Sequence, residues 1–236
     1  MATLIFDIET IGEDFDSLDP TTQDALTHWM RKDAGSEAEY EAELKDLKTR
    51  LGFSPLTGEI AAIGVLDYDR NKTVVYYQAP GEKFADREED DVVFKQMTEE
   101  EMLIHFWDGV KHYQEFVSFN GRGFDVPFLM VRSAVHRIRP TKNLLTNRYL
   151  SSQRAGARHI DLLDQLSFYG AMRRRGSLHL WCRALGIESP KAEGITGDDV
   201  GRLFAEKKFL DIARYNTGDL RATKQLYEYW RDYVNV

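Results

Sequence analysis

The sequence predicts an α/β protein built on a mixed sheet, and three observations predict it. Short apolar, β-branched runs of strand length alternate with stretches of helical period. Two of the runs, Ile60 to Tyr68 and Lys72 to Gln78, meet at Asp69-Arg70-Asn71 as a hairpin, so the sheet is partly antiparallel. Of the 236 residues 42% are hydrophobic and 12% aromatic, enough for a packed core and too many for a largely disordered chain. One domain over residues 1–236 is the economical reading.

Each element follows from local signals. Thr3 to Ile8 reads as a buried strand. Asp19-Pro20 supplies an N-cap and a first-turn proline, and Ser36-x-x-Glu39 is a capping box. Tyr40, Leu44, Leu47 and Leu51 then recur at helical spacing, so a helical insert is expected at about 15–53. The acidic run Glu88 to Asp91 reads as a solvated loop. Thr98-x-x-Glu101 opens a helix with Met102, Phe106, Val110 and Tyr113 on its apolar stripe. Glu115 to Phe119 is a strand closed by Asn120-Gly121-Arg122-Gly123. Pro127 then starts a helix expected to face the core through Phe128, Val131, Val135 and Ile138. His159 to Leu163 is strand-like, and Ser177 to Leu185 is a helix stopped by Gly186. Helices over Val200 to Tyr215 and Asp219 to Tyr233 end the chain.

Composition narrows the function. With 31 basic and 39 acidic residues the net charge is −8, which argues against coating a polyanion by bulk attraction. Its distribution argues otherwise. Met1 to Asp125 carries a net −16, Val126 to Ile187 a net +9, and the remainder is nearly balanced. The basic segment holds Arg132, Arg137, Arg139, Lys142, Arg148, Arg154 and Arg158, then the Arg173-Arg174-Arg175 cluster. The lone cysteine, Cys182, excludes an intramolecular disulfide and fits a reducing compartment. The longest apolar run, about Ile60 to Leu66, is far short of the roughly 18–20 residues of a membrane span. The N-terminus has no basic region of the signal-peptide kind, so a cytoplasmic protein without a membrane partner is expected. His105 and His112 lack a third ligand for zinc. Gly121-x-Gly123 lacks the further glycine of a dinucleotide site, and no serine or cysteine nucleophile motif occurs.

Three segments carry chemistry. In a strand, Asp7 and Glu9 share a face while Leu4, Phe6 and Ile8 point away from it. Two carboxylates held so close repel unless protonated or bridged by a cation, and all-oxygen ligands suit a hard ion. An ordinary solvated strand end is the alternative. The second segment, Ser118 to Leu129, ends an apolar strand in a glycine turn and puts Asp125 at the mouth of a helix. There it is either a site carboxylate or simply an N-cap. In the third, Tyr215 and Asp219 are i and i+4, and a continuous helix would bring phenol and carboxylate together to hold a water. A helix boundary at Gly218 is the alternative, and a glycine there weakens the helix. His159-x-Asp161 is a lesser candidate for a further acidic ligand.

Together, Asp-Ile-Glu-Thr at 7–10, Asn-Gly-x-x-Phe-Asp-x-Pro-Phe at 120–128 and Tyr-x-x-x-Asp at 215–219 resemble the tyrosine branch of the DEDD 3′–5′ exonucleases (DEDDy). The likeness is greatest to the proofreading exonuclease domain of family-B DNA polymerases, here as a stand-alone protein with no polymerase domain in the chain. Only the 15–53 insert has no assignable counterpart. The resemblance implies an RNase H-like fold with a mixed central sheet flanked by helices. It implies two Mg²⁺ or Mn²⁺ ions on Asp7, Glu9, Asp125 and Asp219, with Tyr215 positioning the attacking water. It also puts Thr10, Asn120 and Phe124 where the terminal nucleotide is held, and suggests that Arg173, Arg174 and Arg175 grip the phosphates leading in. The expected reaction is release of 5′-mononucleotides from the 3′ end of single-stranded or frayed nucleic acid, DNA favoured over RNA. Two alternatives remain at this stage. One is a catalytically silent nucleic-acid-binding or adaptor module; the other is an RNase H-like endonuclease. The acidic insert is expected to turn away from the incoming phosphates.

Overall fold

The computed structural model describes residues 2–189 and 196–235. In chain order the elements are β1 (Thr3–Gly12), α1 (Pro20–Asp33), α2 (Glu37–Arg50), β2 (Gly58–Asp67), β3 (Lys72–Tyr77), β4 (Arg87–Glu89), β5 (Val92–Gln96), α3 (Glu99–Gly109), β6 (Glu115–Ser118), α4 (Asp125–Val135), β7 (Arg158–Asp161), α5 (Leu162–Leu166), α6 (Leu178–Leu185), α7 (Val200–Ala205) and α8 (Phe209–Tyr233). The strands form one seven-stranded sheet in the order β4-β5-β3-β2-β1-β6-β7. β2 runs antiparallel to both β1 and β3, while β6 lies parallel to β1 and to β7, so the sheet is mixed, as expected.

Side-chain alternation along β1 divides the core. Leu4, Phe6 and Ile8 join Met102, Phe106 and Leu129 beneath α3 and α4. Ile5 and Ile11 join Leu162, Cys182, Ile212 and Leu220 on the face covered by α5 to α8. Both faces of β1 are therefore buried, which leaves Asp7 and Glu9 in a largely apolar layer. Glu99 ties α3 to its neighbours, accepting from Arg132 of α4 at 2.7 Å and from the Ile60 N–H of β2 at 2.8 Å. Among the described residues no helix is long and apolar enough to cross a membrane.

Three expectations are corrected. The acidic run Glu88 to Asp91 is not a solvated loop: β4 pairs with β5, and Asp90 and Asp91 make the turn between them in left-handed conformation, φ 48° and 64°. The charged side chains mask a strand that lies at the sheet edge, where charge is tolerated. α4 starts at Asp125 rather than Pro127, and it buries Val126, Phe128, Leu129 and Ser133 while Val135 is exposed. α8 runs unbroken through Gly218, because tertiary burial of its apolar face outweighs the roughly 1 kcal/mol a helical glycine costs. The chain turns earlier instead, after α7, at Lys207 with φ 58°. At the end of the insert, Leu51–Phe53, a 3₁₀ turn after α2, packs back on β1.

Candidate active site

β1 and α8 build the centre. Asp7 sits opposite Gly64 of β2, and Glu9 opposite Ala62, so small residues leave room above both carboxylates for α8. The approach is closest at Gly64, where an added Cβ would lie 1.9 Å from Asn216 Oδ1. Asn216, fully buried, uses its amide to donate to Asp7 Oδ2 at 2.7 Å. One oxygen each of Asp7, Glu9 and Asp219 lies within 4.8 Å of the others. A β-bulge between Glu9 and Thr10 shifts the register just beyond the pair.

Asp125 lies next to Asp7 on the β6 side, outside the cluster that Asp7, Glu9 and Asp219 form. Beyond Ile5, β1 has no paired residue on β6, and the Asp125 carboxylate takes over by accepting from the Ile8 N–H at 3.1 Å. It is therefore not a helix cap. Its position depends on the turn before it. Asp161 accepts from the N–H groups of Asn120 at 2.9 Å and Arg122 at 3.0 Å, and it caps α5 through Leu163 N–H. Below, His159 Nδ1 faces the Leu144 carbonyl, so it must carry the proton, and Nε2 accepts from the Ser118 hydroxyl. Burial pushes this imidazole down to about 3, keeping it neutral. His159 and Asp161 thus brace the turn and lie outside the cluster of Asp7, Glu9 and Asp219.

The electrostatics follow from burial and crowding. Burial raises the Asp7 carboxyl well above its ordinary value, and Asp125, Asp219 and Glu9 raise it further. Glu9 is raised by burial and by Asp219. Asp125 is pushed up to about 7, chiefly by burial, against the Ile8 hydrogen bond. The Tyr215 phenol, hydrogen bonded to Asp219, is driven far above its ordinary value by burial and by the surrounding carboxylates. Glu9 Oε1 is buried without a hydrogen-bond partner. An orphaned carboxylate oxygen inside an all-oxygen, mutually repelling set fits a hard divalent cation. A cleft opens beside Tyr215 along α8, lined also by Gly218, Arg214, Arg221 and Glu89.

The remaining candidates divide. The Thr10 hydroxyl donates to the Gly52 carbonyl at 2.6 Å, and Phe124 packs edge-on against Phe53 and at a tilt against Phe128. Asn120 lies in the turn above Asp125 with φ 63°. Arg173, Arg174 and Arg175 are exposed in the loop before α6, outside the carboxylate cluster. Several other basic residues have internal partners. Arg132 pairs with Glu99, Arg148 with Asp164 and Arg158 with Glu115, while Lys142 donates to the Tyr113 and Gly156 carbonyls. Sequence reasoning missed Asn216 and Gly64. Asn216 was findable, since it stands three residues before Asp219 on the same helix face.

Asp7, Glu9 and Asp219 thus form a largely buried carboxylate cluster at the heart of the sheet. Residues 73–231 match a family model described as a predicted 3′–5′ exonuclease related to the exonuclease domain of PolB, and the chain belongs to that family. The matched span includes Asp125, Tyr215 and Asp219, and the fold brings Asp7 and Glu9 to Asp219 from outside it. Among solved structures the chain is similar to the family B DNA polymerase from the hyperthermophilic archaeon Pyrobaculum calidifontis, with a TM-score of 0.56 and 18% identity. That match covers 98% of this chain and 24% of the polymerase, so the chain spans about a quarter of its length. The likeness is one of fold, RNase H-like as expected. The comparison with curated proteins gave no match.

Proposed function

We propose that the protein is a divalent-metal-dependent 3′–5′ exonuclease that releases 5′-mononucleotides from single-stranded or frayed 3′ ends, with DNA preferred over RNA. The observation that carries this reading is the meeting of Asp7, Glu9 and Asp219 around an orphaned, buried Glu9 oxygen. Asp7, Glu9, Asp125 and Asp219 would hold two Mg²⁺ or Mn²⁺ ions. Bound there, the ions would neutralise the carboxylates and supply Lewis-acid stabilisation of charge on the reacting phosphate.

The chain's own residues account for the rest. Asn216 fixes the Asp7 carboxylate through Oδ2, and the Ile8 N–H fixes Asp125 through Oδ1. Both are therefore oriented before any ligand arrives. Tyr215 keeps its proton at neutral pH, so it acts as a hydrogen-bonding group beside Asp219 and not as a base. Its role in this reading is to orient the attacking water.

The test uses a 5′-labelled single-stranded oligonucleotide with a free or a blocked 3′ terminus. With the free end, a ladder shortening stepwise from the 3′ side is expected under Mg²⁺ or Mn²⁺, with 5′-mononucleotide as product. Cutting of the blocked substrate would point to an endonuclease, and binding without any cutting to a silent module.

A further inference from the structure

We infer that Phe53, at the end of the 15–53 segment, is a stacking platform for an unpaired base at the 3′ end, an inference that rests on the exonuclease reading above. The segment returns to β1 immediately beyond the site carboxylates. Its base is fastened there by close backbone contact as well as by side chains. A Cβ on Gly12 would lie 2.8 Å from Gly52 N, one on Gly52 2.9 Å from Gly12 N, and one on Gly58 2.7 Å from the Ile11 carbonyl. All three close approaches require glycine. Thr10 and Thr57 add hydrogen bonds to the Gly52 and Leu51 carbonyls at 2.6 and 2.8 Å, and Leu51 is buried beneath.

A phenylalanine follows this fastened turn directly. Phe53 is 48% exposed, and its ring meets Phe124 edge-on with centroids 6.5 Å apart and planes at 68°. Phe124 is held in turn by Phe128 at 5.4 Å and precedes Asp125 in sequence. The two rings touch, so no base fits between them. They form one corner, in which the buttressed Phe124 holds Phe53 with a free face toward solvent. A rigid exposed aromatic ring at the edge of a phosphoryl-transfer centre suits a nucleobase, because every base has a π-face.

Charge favours the same occupant. Leu51 to Gly58 carries no charged residue, although the helices before it are rich in acid. The turn that carries Phe53 thus adds no charge of its own beside the ring. A stacked partner must be free of its own base pair, which ties the platform to single-stranded or frayed ends.

The experiment measures binding and turnover side by side. Binding of a 5′-fluorescein thymidine oligonucleotide is followed by anisotropy with Ca²⁺ in place of Mg²⁺. The comparison is the same oligonucleotide lacking its two 3′-terminal bases. For the wild type, removing the bases should weaken binding about tenfold, the scale of one stacked base. Phe53→Ala should bind the intact oligonucleotide about tenfold more weakly and lose nothing further on base removal. Phe53→Trp should restore wild-type binding. Under Mg²⁺, Phe53→Ala should raise KM and leave kcat within about twofold. Phe53→Ala binding like the wild type, or losses that simply add, would overturn the platform while leaving the exonuclease reading intact. Base-dependent binding through Phe53 with no shortening under Mg²⁺ or Mn²⁺ would overturn the exonuclease reading and support the platform. Absence of binding would overturn both. The ring is exposed, so the Phe53→Ala melting temperature should stay within about 2 °C of wild type, which separates lost stacking from lost fold.

Discussion

Replacing Gly64 with alanine should damage the site without touching any carboxylate. The new Cβ would stand 1.9 Å from Asn216 Oδ1 and 2.7 Å from Leu220 Cδ1. Relief needs a movement of more than about 1 Å to reach ordinary van der Waals separation. Asn216 is fully buried, short, and bonded to Asp7 at 2.7 Å, so the methyl group must either break that bond or lift α8 from β2. Overpacking costs about 1–3 kcal/mol, and loss of a buried hydrogen bond to a carboxylate is of similar size. The two are alternative outcomes of one clash, so the total is about 1–3 kcal/mol, or a fall in Tm of roughly 2–12 °C. Thermal melting followed by far-UV circular dichroism reads the stability, and shortening of a labelled oligonucleotide reads the site. The double variant Gly64→Ala, Asn216→Ala should regain part of the lost stability but not the activity, since Asp7 stays unanchored. A Gly64→Ala protein that melts and turns over like the wild type would refute the claim that this approach sets α8 against the carboxylates.

Three further outcomes are expected. Asp125 is pushed up to about 7 from an ordinary 3.8, so its contribution to stability is complete below about pH 3.8 and lost as pH rises through 7. In EDTA the Tm should therefore fall between pH 5 and 8, and Mg²⁺ should restore most of it at the upper end by binding the folded form; a flat or rising profile in EDTA would be the wrong result. Tyr215→Phe should keep the fold and lower kcat by about 100-fold, and a kcat within about twofold of wild type would remove Tyr215 from the chemistry. Asp161→Asn sets an amide N–H₂ against one of the N–H groups that the carboxylate now accepts. It should cost about 1–3 kcal/mol in urea unfolding and reduce activity through the loosened 120–125 turn, whereas an unchanged midpoint would deny Asp161 that role.

What the sequence discloses depends on the range of the interaction. Asp7 and Glu9 were readable as a pair because strand geometry alone gives i and i+2 one face. The Thr98–Glu101 capping box was readable for the same reason, its partners lying within one turn. Asp125 was ambiguous because its partner, the Ile8 N–H, is 117 residues away, and local rules offer only the cap. Gly218 misled in the opposite direction: propensity argued for a break that the buried face of α8 overrides. Gly64 carries no motif of its own, and its meaning exists only where β2 and α8 touch. The insert offered amphipathic spacing, yet α2 buries no residue fully, and the contact that matters comes from Leu51 to Phe53 at its end.

The central claim is that the clustered carboxylates hold divalent ions on which 3′-end hydrolysis depends. Its most direct test compares wild type, Asp7→Ala and Asp219→Asn on a 5′-labelled single-stranded oligonucleotide, each in EDTA, Mg²⁺ and Mn²⁺, with circular dichroism to verify the fold. Stepwise 3′ shortening by the wild type only with metal, and by neither folded variant under any condition, is the predicted result. Shortening that persists in EDTA, or in either variant at the wild-type rate, would contradict it.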